Sequence, residues 1–318
     1  MKNFLLVIIL FCLSCQNAKD PNEIVGADSQ TGMHLIVLGT VQDGGAPHIG
    51  CVKSCCAELW DKPNERLKVV SLGVIDYDND EVYIFEATPD FPEQLAMIND
   101  IAGRQMSQMP DGIFITHAHI GHYTGLMFLG REAKGASNVP VYAMPKLQEF
   151  FASNGPWDQL VNLKNIQLKS FDDDGLAKLS SRLSVTPFKV PHRDEYSETV
   201  GFVINGPKKK VLFIPDIDKW SKWEEDIIEK VKEVDIAYLD ATFYDANEIN
   251  NRDISEIPHP FVIESMELFD GLPKSEKSKI HFIHLNHTNP LLNPKNKEFN
   301  EVKSRGYNVA EYALKISI

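Results

Sequence analysis

The segment Thr116-His117-Ala118-His119-Ile120-Gly121-His122 places three histidines within six residues, directly after the apolar run Ile113-Phe114-Ile115. Imidazoles two residues apart at the exit of a strand can converge on one ion, and a third from the next turn can reach a neighbouring position. Histidines of a solvated loop are the alternative interpretation. The segment therefore predicts a metal site where a buried strand ends.

Three further candidate ligands occur where apolar runs end elsewhere in the chain. His192 and Asp216 each lie just beyond such a run, and His284 lies near the end of one that also contains His281. Taken singly, each is as common in a core or on a surface as in a metal site. Because alternate side chains of a strand point to opposite faces, at most one of His281 and His284 faces a shared site.

The order of these residues resembles the ligand series of the metallo-β-lactamase superfamily over residues 33–318. The resemblance implies an α/β fold, a four-layer αββα sandwich, with the metal site at strand ends between its two halves. It also implies a ligand set of zinc, with one or two ions. In that set His117, His119 and His192 hold the first metal, Asp216 bridges, and His122 and His284 hold the second.

Gly121 departs from the usual signature of this superfamily, H-x-H-x-D-H. The aspartate that normally stands there binds the second metal and orients the attacking water, whereas glycine offers no ligand. We expect the second position to be weaker, empty, or completed by water or by another acid such as Asp218. Iron in place of zinc is a further option.

Within the superfamily the chain most resembles coenzyme PQQ synthesis protein B, through four stretches spread over the domain. They are residues 44–47, 86–90, 239–244 and 284–290. The implied activity is metal-dependent hydrolysis of a phosphodiester or related ester by metal-activated water. The alternatives are an iron-dependent hydroxylase of the kind linked to that family and a non-catalytic metal-binding lipoprotein.

His259 precedes a helical run and matches a histidine that superfamily phosphodiesterases and nucleases use near the leaving group. A general acid there would protonate the departing oxygen, and imidazole suits that task near neutral pH. The resemblance thus makes His259 and Asp216 the expected catalytic residues. A solvent-facing histidine at a helix start is the alternative.

Cys51, Cys55 and Cys56 form a cluster whose odd number prevents all three from pairing within one chain. They resemble the cysteine-rich structural zinc site of a cyclic-phosphate phosphodiesterase of the superfamily, although the middle cysteine is displaced. The resemblance implies His287 as the fourth ligand of a closed tetrahedral site. A Cys55–Cys56 disulfide, or His48 in place of His287, is the alternative.

The N-terminus combines a short basic start, the apolar run 4–13 and Ser14-Cys15, which resembles a bacterial lipoprotein signal. It predicts a signal over residues 1–15, lipidation of Cys15, a polar tether over 16–32 and the folded domain over 33–318. We then expect an exported protein anchored to a membrane, periplasmic or on the cell surface. A plain secretory signal, or a start codon placed too early, is the alternative.

The net charge of −13 and the lack of a long basic run argue against non-specific nucleic-acid binding, which needs a cationic face. A small-molecule substrate is expected, and the sequence gives no oligomeric state. The remaining patterns predict one domain of mixed strands and helices. They predict a hairpin of 69–76 with 82–86 and helices over 92–101, 123–133, 220–234 and 261–269.

Overall fold

Two seven-stranded β-sheets pack face to face in the computed structural model, which describes residues 30–172, 175–193, 195–248 and 257–318. Residues 31–318 form one compact unit. Cys15, its signal segment and most of the polar tether lie outside the described residues. Among the described residues, no helix has the length and apolar character needed to cross a bilayer.

The first sheet has the strand order β14-β1-β2-β3-β4-β5-β6. β1 to β3 pair antiparallel, and the neighbours from β3 to β6 pair parallel. The predicted hairpin is confirmed as β2 with β3. The strands are β1 Met33–Gly39, β2 Ser71–Asp76, β3 Glu81–Phe85, β4 Gly112–Phe114, β5 Val139–Tyr142, β6 Ile166–Lys169 and β14 Lys315–Ser317.

The second sheet has the order β13-β12-β11-β10-β9-β8-β7. Its four strands from β10 to β13 pair parallel, so their carboxyl ends lie at one edge. The strands are β7 Ala177–Lys178, β8 Ser184–Lys189, β9 Val200–Asn205, β10 Lys210–Ile214, β11 Ile236–Asp240, β12 Ile280–Ile283 and β13 Asn308–Val309.

Nine α-helices are found in the described part of the chain. They are α1 Ser54–Trp60, α2 Phe91–Ala102, α3 Ile120–Tyr123, α4 Pro145–Ser153, α5 Trp157–Asn162, α6 Ile227–Lys232, α7 Val262–Leu268, α8 Lys274–Lys277 and α9 Lys297–Ser304. The predicted helices over 92–101 and 261–269 are confirmed as α2 and α7.

Three apolar clusters divide the domain into layers. One lies between the sheets and joins residues such as Phe85 and Phe114 to Phe202 and Phe213. The other two fill the outer face of each sheet beneath its helices, for example around Phe151 and around Phe282. Apolar side chains on both faces of the strands explain why both sheets are buried on two sides. The predicted αββα sandwich is confirmed.

The predicted helix over 123–133 is wrong. α3 is short and gives way to a 3-10 helix at Thr124–Leu129. The reason lies at Gly125, where an added Cβ would lie 2.1 Å from the carbonyl oxygen of Thr88. This close backbone approach fixes the path of the chain against the preceding loop, and a regular helix does not follow it.

The predicted helix over 220–234 is also wrong, because two elements share its apolar spacing. A 3-10 helix covers Trp220–Lys222, and α6 begins only at Ile227. The side chain of Asp226 accepts a hydrogen bond from the backbone N–H of Ile228 and caps α6 there. A capping residue between two apolar groups ends one element and starts the next.

Candidate metal centres

The first group of candidate ligands meets where the two sheets end. Nε2 of His117 lies 2.9 Å from Nδ1 of His119, which lies 3.3 Å from Nε2 of His192. Oδ2 of Asp216 lies 3.3 Å from His117, 3.8 Å from His119 and 3.2 Å from His192. The four ligand atoms all lie within 4.8 Å of one another. Strand ends of both sheets therefore deliver one compact donor set.

Asp216 faces donors on two sides. Its Oδ2 points to the first group and also lies 3.8 Å from Nε2 of His122. Its other oxygen, Oδ1, lies 3.2 Å from Nδ1 of His259 and makes no hydrogen bond. The side chain is only 3% exposed. A buried carboxylate with donors on both sides suits a bridging position between two cations.

His122 and His284 meet on the far side of Asp216, together with Asp43. Oδ1 of Asp43 lies 3.1 Å from Nε2 of His122 and 3.4 Å from Nε2 of His284. Both histidines are fully buried. The imidazole of His281, on the same strand as His284, packs against the ring of Tyr238, with 5.2 Å between centroids. The expectation that only one of these two histidines faces the site is thus confirmed.

His259 is held by Asp240, which ends β11. Nδ1 of His259 donates to Oδ2 of Asp240 over 2.8 Å. The other oxygen of Asp240 accepts from the backbone N–H of Thr242 at 2.9 Å and from its hydroxyl at 2.7 Å. His259 is 14% exposed, so the alternative of a solvent-facing helix-start histidine is wrong. Described residues offer its Nε2 no hydrogen bond.

The ligand histidines are oriented by groups behind them. Thr116 Oγ1 lies 2.8 Å from Nδ1 of His117, and Glu86 Oε1 lies 3.4 Å from Nδ1 of His122. Asp218 Oδ1 lies 3.1 Å from Nδ1 of His192 and also pairs with Lys222. Contacts of this kind fix the orientation of a ligand ring. Asp218 therefore stands behind His192, and the expectation that it completes the second position is wrong.

The cysteine cluster forms a separate group. Sγ of Cys55 lies 3.9 Å from Sγ of both Cys51 and Cys56, and Nδ1 of His287 lies 3.5 Å from Cys55 and 3.4 Å from Cys56. A zinc tetrahedron with bonds of about 2.3 Å to sulfur and 2.0 Å to nitrogen has edges of roughly 3.8 and 3.5 Å. The observed spacing matches these edges.

Both alternatives for the cysteine cluster are wrong. A disulfide needs its sulfurs about 2.05 Å apart, and the three cysteines are free. His48 stacks on the ring of His287 with 4.6 Å between centroids, and its backbone N–H donates to Sγ of Cys56 over 3.3 Å. His48 therefore supports the cluster from outside.

The sequence profile described as "Beta-lactamase superfamily domain" matches residues 82–282, which carry most of these side chains. The chain belongs to this superfamily. The match covers β3 to β12. It therefore includes the strand ends that deliver His117, His119, His192 and Asp216.

Curated relatives extend the superfamily match to nearly the whole chain. "Coenzyme PQQ synthesis protein B" of Xanthomonas axonopodis pv. citri is 25% identical over 90% of this chain and 100% of that protein. The protein of the same name from Methylorubrum extorquens strain PA1 is 23% identical over the same shares. The predicted resemblance to this group is confirmed.

Solved structures show the same superfamily fold. The crystal structure of zinc-bound PqqB from Methylobacterium extorquens aligns with a TM-score of 0.71 at 20% identity, over 90% of this chain and 100% of that one. A structure described as a new diphosphatase from the PhnP family aligns with a TM-score of 0.60 at 22% identity, over 89% and 96%. At these identities the likeness shows the fold alone.

Carboxylates raise the pKa of His122 and His192 in this superfamily site, whereas burial and the neighbouring His122 hold the pKa of His117 well below its usual range. Burial by itself would lower the pKa of His122, but Asp43 and Glu86 outweigh it and raise that pKa well above its usual range. Burial likewise opposes and Asp216 raises the pKa of His192, to about 9. Burial would raise the pKa of Asp240, yet His259 brings it down to about 2. Carboxylates that stabilise cations around them are what a metal ion requires.

Several buried polar atoms in the centre lack a hydrogen bond. Both ring nitrogens of His122, Oδ1 of Asp216 and Oε1 of Glu86 are buried in this way. Buried polar atoms are normally paired, so such a concentration needs an explanation. Nitrogen and carboxylate donors converging on one point fit a divalent metal such as zinc or iron. These clusters of converging ligand atoms could hold a metal ion.

Sequence analysis missed three functional side chains of the centre: Asp43, Asp240 and Glu86. Asp240 follows an apolar strand as Asp216 does, and this signal was sufficient to find it. Glu86 is also at the end of a strand, and its φ of +77° marks an unusual backbone. Strained non-glycine residues cluster at functional sites, and His284 at +63° is another. Asp43 follows β1 but gave no comparable signal.

Proposed function

We propose that this chain is a metal-dependent hydrolase that cleaves a phosphodiester or a related ester. The observation that carries the proposal is the position of Asp216, whose two oxygens face the first histidine group and His259. This places a metal position and a candidate proton donor on opposite oxygens of one carboxylate. Hydrolysis needs both, because one oxygen attacks while another leaves.

The first metal position would be held by Asp216 and by the three histidines that surround its Oδ2. His122 and His284 would hold the second metal, and Asp216 would lie between the two metal positions. A metal bound there lowers the pKa of a coordinated water and polarises an ester or phosphoryl oxygen. Zinc and iron both accept this mixture of imidazole and carboxylate ligands. The ligands of the first position are His117, His119, His192 and Asp216.

The protein's own side chains then have two tasks. Asp240 accepts from Nδ1 of His259, so Nε2 is the ring nitrogen left to give a proton to a leaving group. Asp218 and Thr116 hold His192 and His117 in place, so that no ring reorients during the reaction. Preorganised donors of this kind lower the barrier without a reorganisation cost.

A small substrate fits the space beside this centre. A cavity of about 260 Å³ adjoins Asp43 and is lined on its other walls by Trp60, Arg66 and Lys68. Its walls carry both signs of charge, because Asp43, Asp90 and Glu93 line it together with Arg66 and Lys68. One of the structures of similar fold is described as a diphosphatase, which supports a substrate that carries phosphate.

The cysteine cluster would hold a structural zinc, because three thiolates and one imidazole leave no open position. We also propose that the protein is exported and anchored through Cys15. Replacing Cys15 with alanine should then move the protein from the membrane fraction to the soluble fraction after cell lysis. An unchanged distribution would contradict the anchor.

An iron-dependent oxygenase is the second candidate function, favoured by the similarity to coenzyme PQQ synthesis protein B over 90% of the chain. Elemental analysis of anaerobically purified protein separates the two. Stoichiometric iron together with substrate-dependent oxygen uptake would support the oxygenase. Zinc without oxygen uptake supports the hydrolase.

The hydrolase is tested with a bis-aryl phosphodiester and a panel of carboxylic esters. We expect zinc- or iron-loaded protein to hydrolyse the phosphodiester, and the chelated protein to lose this activity and to regain it on metal return. The matched control is Lys222→Ala, which removes an exposed partner of Asp218 but no ligand. Metal-loaded protein inert to the entire panel would reject the proposal.

A further inference from the structure

The second metal position lacks the acid that the superfamily signature supplies from the histidine segment, because residue 121 is glycine. The space is nevertheless filled. A Cβ added at Gly121 would lie 2.3 Å from Oδ1 of Asp43, 2.5 Å from its Cγ and 2.6 Å from its Cα. Real Cβ atoms do not approach other atoms so closely. A side chain at position 121 and the observed Asp43 are therefore mutually exclusive.

Asp43 is fixed in this place by the backbone. The N–H of Gln42 donates to the carbonyl oxygen of Leu285 over 2.9 Å, and the N–H of Leu285 donates to that of Thr40 over 2.9 Å. The loop after β1 is thus joined to the residue next to His284. Gly45 then turns the chain with φ of +69°, and its N–H donates to Gln42. The backbone that carries the carboxylate is therefore anchored on both sides of Asp43.

The carboxylate of Asp43 points at the two histidines of this position. Oδ1 lies 3.1 Å from Nε2 of His122, yet that nitrogen makes no hydrogen bond. Two buried polar atoms in close approach without hydrogen-bond geometry are expected when both point at a third atom. His284 presents Nε2 to the same oxygen at 3.4 Å, while its Nδ1 faces Thr242.

The other acids of the described centre are committed elsewhere. Glu86 lies behind His122, against Nδ1. Asp240 lies behind His259 and His284, and Asp218 lies behind His192. Glu86 and Asp218 touch ring nitrogens that face away from the shared centre. Asp240 contacts Nδ1 of His259, which also lies 3.2 Å from Oδ1 of Asp216. Of these acids and Asp43, only Asp43 approaches Nε2 of both His122 and His284.

We propose that Asp43 supplies the second metal position with the carboxylate that residue 121 lacks, and that residue 121 is glycine to leave room for it. The assignment rests on the metal-dependent function proposed above. The centre then keeps two imidazoles, a terminal carboxylate and the bridging Asp216 at this position. It is a complete two-metal centre whose acid comes from a different part of the chain.

The test counts metal ions per chain by native mass spectrometry and measures zinc affinity by chelator competition. We expect the parent to hold two ions in the histidine-aspartate centre besides the ion of the cysteine cluster. This centre comprises His117, His119, His122, His192, His284, Asp43 and Asp216. Asp43→Ala should lose one of them, with an affinity for that ion at least about 100-fold weaker. Asp43→Asn keeps the side-chain size, so it should weaken the same ion without disturbing the fold.

Gly121→Ala supplies a second, independent variant. It removes no ligand, but its Cβ displaces Asp43, so it should lose the same ion as Asp43→Ala. The control is Glu81→Gln, whose side chain accepts from the Tyr83 hydroxyl and touches no ligand, and it should retain both ions. Parent-like counts and affinities in Asp43→Asn and Asp43→Ala would overturn the assignment, and so would a parent with a single ion in this centre.

These outcomes separate the assignment from the proposed activity. A parent that binds both ions but hydrolyses no ester would reject the hydrolase and leave Asp43 as a ligand. A parent that hydrolyses the phosphodiester while Asp43→Ala keeps both ions would reject Asp43 and leave the hydrolase.

Discussion

The chain carries two groups of candidate ligands that differ in every respect relevant to chemistry. The cysteine cluster draws three of its four members from one short segment, Cys51 to Cys56, and its sulfurs already have the spacing of a zinc tetrahedron. The histidine-aspartate centre draws its members from the ends of strands in both sheets and from three loops. The first group offers soft thiolates with no open position, and the second offers nitrogen and oxygen around a shared carboxylate.

Under the proposed function, one domain separates a structural metal site from a metal site that reacts with substrate. A thiolate tetrahedron stabilises the fold because it closes around its ion. A centre bridged by Asp216 and bordered by a cavity leaves room for a substrate. The two groups are connected along the chain by the short stretch from His284 to His287. A substitution in one group can therefore be checked for an effect on the other through this stretch.

The largest effect is expected from the cysteine cluster. Cys56→Ser removes a buried thiolate, and loss of a structural metal costs on the order of 4 kcal/mol or more of unfolding free energy. Denaturant unfolding measures this loss, with Ser54→Ala in the same helix as the control. The rate of phosphodiester hydrolysis per folded molecule should stay near that of the parent. Unchanged stability and zinc content would contradict a structural role.

The next effect concerns the histidine-aspartate centre alone. His259→Ala should lower kcat by about 10²- to 10⁴-fold for a substrate with a poor leaving group, because general acid catalysis contributes this much. The loss should shrink for a nitrophenyl leaving group, which departs without a proton. Steady-state kinetics on the pair of substrates measures the difference, and the rates are compared per folded molecule because Asp240 loses its buried partner in this variant. Equal losses on both substrates would argue against proton donation.

A smaller effect is expected at the support of the second metal position. Glu86→Gln leaves the side-chain size unchanged but weakens the partner of His122 Nδ1, so metal affinity should fall about 10- to 100-fold. Chelator competition measures this affinity. Glu81→Gln, at the other end of β3, is the matched control and should bind metal as the parent does. Equal affinities in the two variants would show that Glu86 does not position His122.

The smallest effect depends on pH and concerns the stretch that links the two groups. The hydroxyl of Thr288, next to His287, donates to Oε2 of Glu248 over 2.7 Å, and burial raises the pKa of Glu248 to about 7. The folded state therefore binds a proton that the unfolded state releases above its ordinary pKa near 4.5. Stability from this group is fully present at low pH and is lost as pH rises from about 4.5 to 7.

The corresponding measurement is denaturant unfolding at pH 5 and pH 8. We expect the parent to lose about 1–2 kcal/mol more than Glu248→Gln between these values. Glu301→Gln, which removes the charge of the acceptor of the Tyr244 hydroxyl, should behave as the parent. The same pH dependence in parent and Glu248→Gln would assign it to another group.

Local sequence was sufficient for the parts of the site that one strand end delivers. His117, His119 and His122 follow β4 directly, and the order of His192, Asp216 and His284 indicated the fold. Asp43 was not predictable in this way, because its position depends on hydrogen bonds between its loop and Leu285, far along the chain. The helix predicted over 123–133 failed for a similar reason, since a tertiary contact at Gly125 decides the path there.

Counting metal ions per chain in the parent and in Asp216→Asn tests the central claim most directly, because Asp216 is the side chain that both metal positions share. Native mass spectrometry should show the cysteine-cluster ion together with the ions of the histidine-aspartate centre in the parent. Asp216→Asn should keep the ion of the cysteine cluster and lose the ions of the histidine-aspartate centre while remaining folded. An Asp216→Asn protein that retains every ion of the parent would contradict the account.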